Sequence, residues 1–207
     1  MNERSEGRLG ARFDEALAFA MELHRTQLRK GSDVPYVGHL LGVSSIVIDA
    51  GGTEDEAIAA LLHDGPEDQG GRSTLAAIRG RFGDEVANMV EHLSDTFDTP
   101  KPPWRARKEA YINDLRACQD ASVYLISAAD KVHNLRSMRD DYREVGEALW
   151  SRFSAPLGRV DVLWYHDALL AAYDAGPPDP RRSRVVHSMR ETIAEIRALE
   201  ERMQLSG

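Results

Sequence analysis

Four short runs in this 207-residue chain carry side chains that could do chemistry: RTQLRKG, PYVGHL around His39, LLHDGPEDQ around His63 and Asp64, and ISAADKVHNLRSM around Asp130. His63 and Asp64 are adjacent, so on a continuous helix their side chains would diverge by about 100°. At a helix end both can turn toward one ion, and the Gly65-Pro66 step supplies such an end. Imidazole nitrogens from His39 and His63 with carboxylate oxygens from Asp64 and Asp130 make a mixed N/O set suited to Mn, Fe, Zn or a similar first-row ion. Glu67 and Asp68 follow at once, and two carboxylates beside a His–Asp pair are what a water-activating site needs.

Taken singly, each of these residues has an ordinary explanation. A lone His39 or His24 on an apolar face is more often a hydrogen-bonded core residue. Asp130 could cap a helix or pair with Lys131, and an acidic pair such as Glu67-Asp68 is more often a solvated loop. Their joint occurrence moves the balance toward a metal centre.

The elements that must position these groups read as helices. Phe13, Leu17, Ala20, Met21, His24 and Leu28 recur at helical spacing, which predicts a helix from about Ala11 to Arg29 after a loose tail over residues 1 to 10. A second helix runs from about His39 to Asp49 and stops at Gly51-Gly52. Thr53 with Glu56 three residues on matches a capping box, so Glu54 to His63 should be helical, with Ala57, Ala60 and Leu61 facing the core. Gly65, Pro66, Gly70 and Gly71 predict a loop. Helices then follow from Ser73 or Thr74 to Phe82, from Asp84 to Leu93, from Arg105 to Leu115, from Ser122 to Tyr142, from Leu157 to Tyr173 and from Arg184 to Met203. DTFDTPKPPW reads as a proline-containing loop, no segment alternates as a strand, and no internal repeat is evident.

Composition bounds the reading. The length fits one domain, and 42% apolar with 29% charged residues is ordinary for a soluble globular chain. No stretch approaches the roughly 18 apolar residues of a membrane span, and MNERSEGRLG lacks a secretory core, so a cytoplasmic location is expected. A single cysteine, Cys118, excludes an internal disulfide and a cysteine-rich zinc site. The net charge of −8 argues against broad binding to nucleic acid, yet Arg29, Lys30 and Lys131 could make one pocket electropositive.

The order His39, then His63-Asp64, then Asp130 resembles the H…HD…D signature of the HD superfamily of helical metal-dependent phosphohydrolases. More narrowly, FAMELHRTQLRKGSDVPYVGHL, AALLHDGPEDQGG, RFGDEVANMV and AADKVHNLRSM are similar to the hydrolase domain of RelA/SpoT-type proteins and to the small alarmone hydrolases, over about residues 13 to 142. LWYHDALLAAY is a weaker match. The resemblance implies a single all-α HD-domain helical bundle over residues 11–175, followed by a proline-containing linker and helix over 176–207. It implies removal of the 3′-pyrophosphate from (p)ppGpp, giving GDP or GTP and pyrophosphate, with one divalent ion, usually Mn²⁺. Position by position, His39, His63, Asp64 and Asp130 fall on the metal ligands, and Glu67 and Asp68 on the acidic pair that activates or orients water. Arg29 and Lys30 match the pair lining the base, and Ser32, Tyr36 and Asn134 match residues near base and sugar. His92, His133, His166 and His187 match no role, and His24 reads as structural.

HDGPEDQ keeps the acidic pair of the common HD-V-V-E-D-T segment but places Gly65-Pro66 before it. LSDTFDTP replaces the family's threonine-lysine run, leaving Lys101, Arg105, Arg107, Arg143 and Arg159 as unranked candidates for the distal phosphates. The expected partner is a small nucleotide, with no nucleic acid and no membrane, and with a homo-oligomer open. The rivals are another HD phosphohydrolase acting on nucleotides, NADPH or an adenine alarmone (ppApp), and a catalytically silent alarmone-binding module. A helical DNA-binding module is disfavoured by the acidic balance.

Overall fold

The computed structural model describes residues 9–97 and 100–206, and every multi-residue element among them is helical. In chain order these are α1 (Ala11–Leu23), α2 (Val37–Asp49), α3 (Glu54–Leu62), α4 (Gly65–Asp68), α5 (Arg72–Phe82), α6 (Asp84–Leu93), α7 (Trp104–Ala117) and α8 (Ala121–Val145). A 3₁₀ stretch, Gly146–Arg152, leads to α9 (Arg159–Ala175) and α10 (Pro180–Ser206). The expected all-α class holds. The tail expected over residues 1 to 10 lies outside the described residues except at Leu9 and Gly10.

α3 begins where its sequence says it should. Thr53 Oγ1 accepts from the Glu56 amide at 3.2 Å and Glu56 Oε2 accepts from the Thr53 amide at 2.6 Å, so two donors of the first turn are satisfied reciprocally. Thr53→Ala should therefore lower stability by about 1 kcal/mol, read as a lower urea midpoint at constant m. An unchanged midpoint would mean that burial alone fixes the start of α3. Sequence periodicity undercounts that burial: every residue from Glu56 to Leu62 is buried, not one face of the helix. A short helix buried all round is the centre of a bundle, and α1, α2, α6 and α8 pack about it. α10 lies along α8 of its own chain and buries Val185, Met189, Ile193 and Ile196.

Three expectations need correction. The first helix ends at Leu23, not Arg29; Leu28 is 49% exposed and so never belonged to the core stripe. Residues 27–36 instead fold back as a hairpin, with the Arg29 amide donating to Val34 O at 2.8 Å and the Tyr36 amide to Gln27 O at 2.9 Å. Gly31 turns it at φ +74°, a conformation that favours glycine, and Pro35 disposes Val34 to extended backbone. The segment after His63-Asp64 is not loop throughout: Gly65–Asp68 makes one helical turn whose first positions include Pro66, where a missing N–H costs nothing. The Gly146–Arg152 turn carried no periodic signal, and the helix expected from Leu157 starts at Arg159, leaving Leu157 68% exposed.

Candidate metal centre

Four helix ends and faces converge on one buried spot. His39 comes from the first turn of α2, His63 and Asp64 from the break between α3 and α4, and Asp130 from the middle of α8. One ligand atom each from His39, His63 and Asp130 lies within 4.8 Å of the others, and all three residues are buried. Asp64 sits at the rim, its Oδ2 2.9 Å from His63 Nε2 and 3.6 Å from His39 Nε2. Asp130 Oδ1 is 3.2 Å from His39 Nε2 and 3.8 Å from His63 Nε2. The structure thus brings together all four of the side chains expected to hold a cation.

The donors are prepared for one. His63 Nδ1 is spent on the Ala60 carbonyl at 2.8 Å and His39 Nδ1 on His133 Nδ1 at 2.9 Å. Both Nε2 atoms are buried with no hydrogen-bond partner and face the carboxylates. Orphaned buried nitrogens are costly, and a divalent cation would satisfy both. Electrostatics agree. Burial alone would lower the His63 pKa, but Asp64 and Asp130 outweigh it and hold it well above its ordinary value. Burial would raise both carboxyls; His63 and His39 hold Asp64 well below the usual range, and Lys131 with the two histidines does the same for Asp130. The site draws positive charge. Two nitrogens and carboxylate oxygens fit a first-row divalent ion.

Neighbours fix the carboxylates. Tyr36 donates its phenol to Asp64 Oδ2 at 2.6 Å, and burial together with Asp64 keeps that phenol protonated. Asn134 Nδ2 donates to Asp130 Oδ1 at 2.6 Å while its oxygen accepts from Arg29 at 2.9 Å, and Lys131 also bonds Asp130. On α4, Glu67 accepts from Lys101 Nζ at 2.8 Å and from the Asp95 amide at 3.1 Å. Asp68 accepts from Gln27 at 2.8 Å, and burial followed by Asp64 raises its pKa. Gln27 also accepts from His24 Nδ1 at 2.7 Å, and His24 Nε2 is a further buried nitrogen without a hydrogen-bond partner.

A cavity of about 430 Å³ adjoins this cluster. Its lining gathers the expected Arg29, Lys30, Ser32, Tyr36 and Asn134, four of them from the hairpin region and Asn134 from α8. None of the five candidate phosphate cations lines it. Lys101 is held by Glu67, Arg105 by Glu109 and the Trp164 ring, Arg107 by Asp95, Arg143 by Asp140 and Arg159 by Glu200. The cations that do line it are Lys108, Lys131 and Arg152 besides Arg29 and Lys30. Lys108 was legible in part, since it follows Trp104 by four residues on α7 and both face the cavity. Arg152 was not.

A helical bundle with a buried His–His–Asp group beside a cation-lined cavity has the donors for a divalent ion and, next to them, positive charge that would suit an anionic ligand. The chain belongs to the HD domain family, whose model matches residues 16–159. Among curated relatives it is 38% identical over 128 residues to guanosine-3′,5′-bis(diphosphate) 3′-pyrophosphohydrolase MESH1 of Xenopus tropicalis, covering 60% of this chain and 68% of that protein. It is 32% identical over 161 residues to GTP pyrophosphokinase rsh of Brucella melitensis, covering 73% of this chain but only 21% of that longer protein. Its fold matches the solved structure described as a metazoan ortholog of SpoT that hydrolyzes ppGpp, with a TM-score of 0.72, 24% identity, and coverage of 91% of this chain and 97% of that one. No helix among the described residues is long and apolar enough to cross a membrane.

Proposed function

We propose that this protein hydrolyses guanosine 3′,5′-bispyrophosphate at the 3′ position, releasing pyrophosphate and leaving GDP, or GTP from the pentaphosphate. The observation that carries the reading is the paired orphan nitrogens of His39 and His63 beside Asp130, next to a cavity that collects Arg29, Lys30, Ser32, Tyr36 and Asn134. The 38% identity to a named 3′-pyrophosphohydrolase supports the same substrate.

His39, His63, Asp64 and Asp130 would hold one divalent first-row ion, with Mn²⁺ the proposed occupant because the resemblance to the (p)ppGpp hydrolases implies it. Bound there, such an ion supplies acidification of a water and neutralisation of charge on the phosphoryl oxygens. Glu67 or Asp68, in the single turn that follows His63-Asp64, takes the proton of the attacking water. A new P–O bond forms at the 3′ phosphorus, the bond to the 3′ oxygen breaks, and that oxygen leaves as a hydroxyl with the proton returned from the same carboxyl or from solvent. Tyr36 and Asn134 keep Asp64 and Asp130 oriented, and Arg29 and Lys30 hold the base. The catalytic unit is taken as residues 11–175, with 176–207 a linker and a helix laid over α8. A net charge of −8 favours a small nucleotide over nucleic acid, and a lone buried Cys118 suits a reducing cytoplasm.

The test is substrate preference. Arg29→Ala and Lys30→Ala should chiefly raise KM for ppGpp, because contacts to the base exist in ground and transition state alike. Metal content should stay at the wild-type level. Unchanged KM in both variants, or an equal rate on NADPH and deoxynucleotide monophosphates, would favour a less selective phosphatase.

A further inference from the structure

His133 stands one residue before Asn134 on α8 and matches no role in the family resemblance, yet it hydrogen-bonds the His39 ring, Nδ1 to Nδ1 at 2.9 Å. The two rings lie 4.8 Å apart between centroids. Room for His133 is made by Gly42 on α2: a Cβ there would come within 2.2 Å of the His133 ring. The helix therefore gives up a side chain one turn beyond His39, where glycine costs about 1 kcal/mol relative to alanine.

A bond between two Nδ1 atoms has one proton, and which ring carries it decides what His39 can do at its other nitrogen. If His39 carries it, Nε2 has a free lone pair aimed at Asp130; if His133 carries it, a neutral His39 has its proton on Nε2 and cannot ligate. The geometry points to His133 as a positioning residue whose Nδ1 accepts from His39 and so fixes His39 in its metal-ligating tautomer and orientation. The inference rests on the metal reading of the site. Outer groups of this kind commonly contribute 10–100-fold in metal affinity.

The experiment is Mn²⁺ titration of the full chain, by calorimetry, for wild type, His133→Phe, His133→Asn and Gly42→Ala. Phe keeps a ring without the acceptor; Asn offers an oxygen near the Nδ1 position. His133→Phe should bind Mn²⁺ about 10–100-fold more weakly, and its turnover should recover at saturating Mn²⁺. His133→Asn should stay within a few fold of wild type. Gly42→Ala should weaken binding, because its Cβ would push the His133 ring away from His39. Wild-type affinity in His133→Phe would overturn the role, as would His133→Asn binding as weakly as Phe. Should His133→Phe fail to fold, Gly42→Ala decides, and wild-type affinity there overturns the inference. A wild-type chain that takes up no Mn²⁺ defeats the metal reading itself, a failure visible before any variant is made.

Discussion

His63→Ala and Asp130→Ala should lose bound metal and turnover together. Each removes one donor of a buried set in which the remaining side chains are already committed: His39 to His133, Asp64 to Tyr36. Among the described residues the buried group is His39, His63 and Asp130, and binding energy for a divalent ion falls steeply with the loss of a ligand. Asp130→Ala has a second effect, because Lys131 is held far into its charged form by Asp130 against the cost of burial. Removing one partner of a buried pair costs about 3–5 kcal/mol, so Asp130→Ala should also lower Tm. Asp130→Asn keeps the shape but also removes the charge beside Lys131, so its Tm should fall as well, and His63→Ala is the variant that reads metal loss without breaking that ion pair. Elemental analysis after gel filtration reads the outcome. Full metal occupancy with wild-type turnover in His63→Ala would remove that histidine from the centre.

Glu67→Gln should lower kcat by about 10²–10⁴-fold, the range for losing a positioned general acid or base. Glutamine keeps the size and one accepting oxygen, so the Asp95 amide or Lys101 can still be met. The negative charge and the basicity are lost. Metal content and KM should remain near wild type, since the residue is assigned outside the coordination set. An acidic side chain serving only as a surface partner of the half-exposed Lys101 predicts a change under about 0.5 kcal/mol in stability and none in rate. Near-normal turnover at saturating Mn²⁺ would leave Asp68 to handle the proton alone, whereas loss of metal would make Glu67 a ligand.

Much of this site could be read from the chain because its signals are local. His63 and Asp64 share a helix end marked by Gly65 and Pro66, and the capping box at Thr53 and Glu56 places that helix in register. The limits of α6, Asp84–Leu93, follow from a flanking glycine and an amphipathic stripe. What escaped is what distant residues decide. The α1 stripe seemed to continue through Leu28 because periodicity cannot see that residues 27–36 pair with each other. The His39–His133 and Arg29–Asn134 contacts join positions 94 and 105 residues apart, and no spacing rule links them. Arg152 reaches the cavity from a 3₁₀ turn whose residues GEALWSR show no apolar period. Each of the five candidate cations for the distal phosphates, Lys101, Arg105, Arg107, Arg143 and Arg159, is instead paired with an acidic neighbour.

One assay bears most directly on the central claim: purified protein loaded with Mn²⁺ is incubated with ppGpp, with and without EDTA, and the products are separated by anion-exchange chromatography. The expected products are GDP and pyrophosphate in equal amounts, with no reaction in EDTA and recovery when Mn²⁺ is restored. Inorganic phosphate in place of pyrophosphate, or undiminished hydrolysis in a thoroughly metal-free preparation, would contradict that claim.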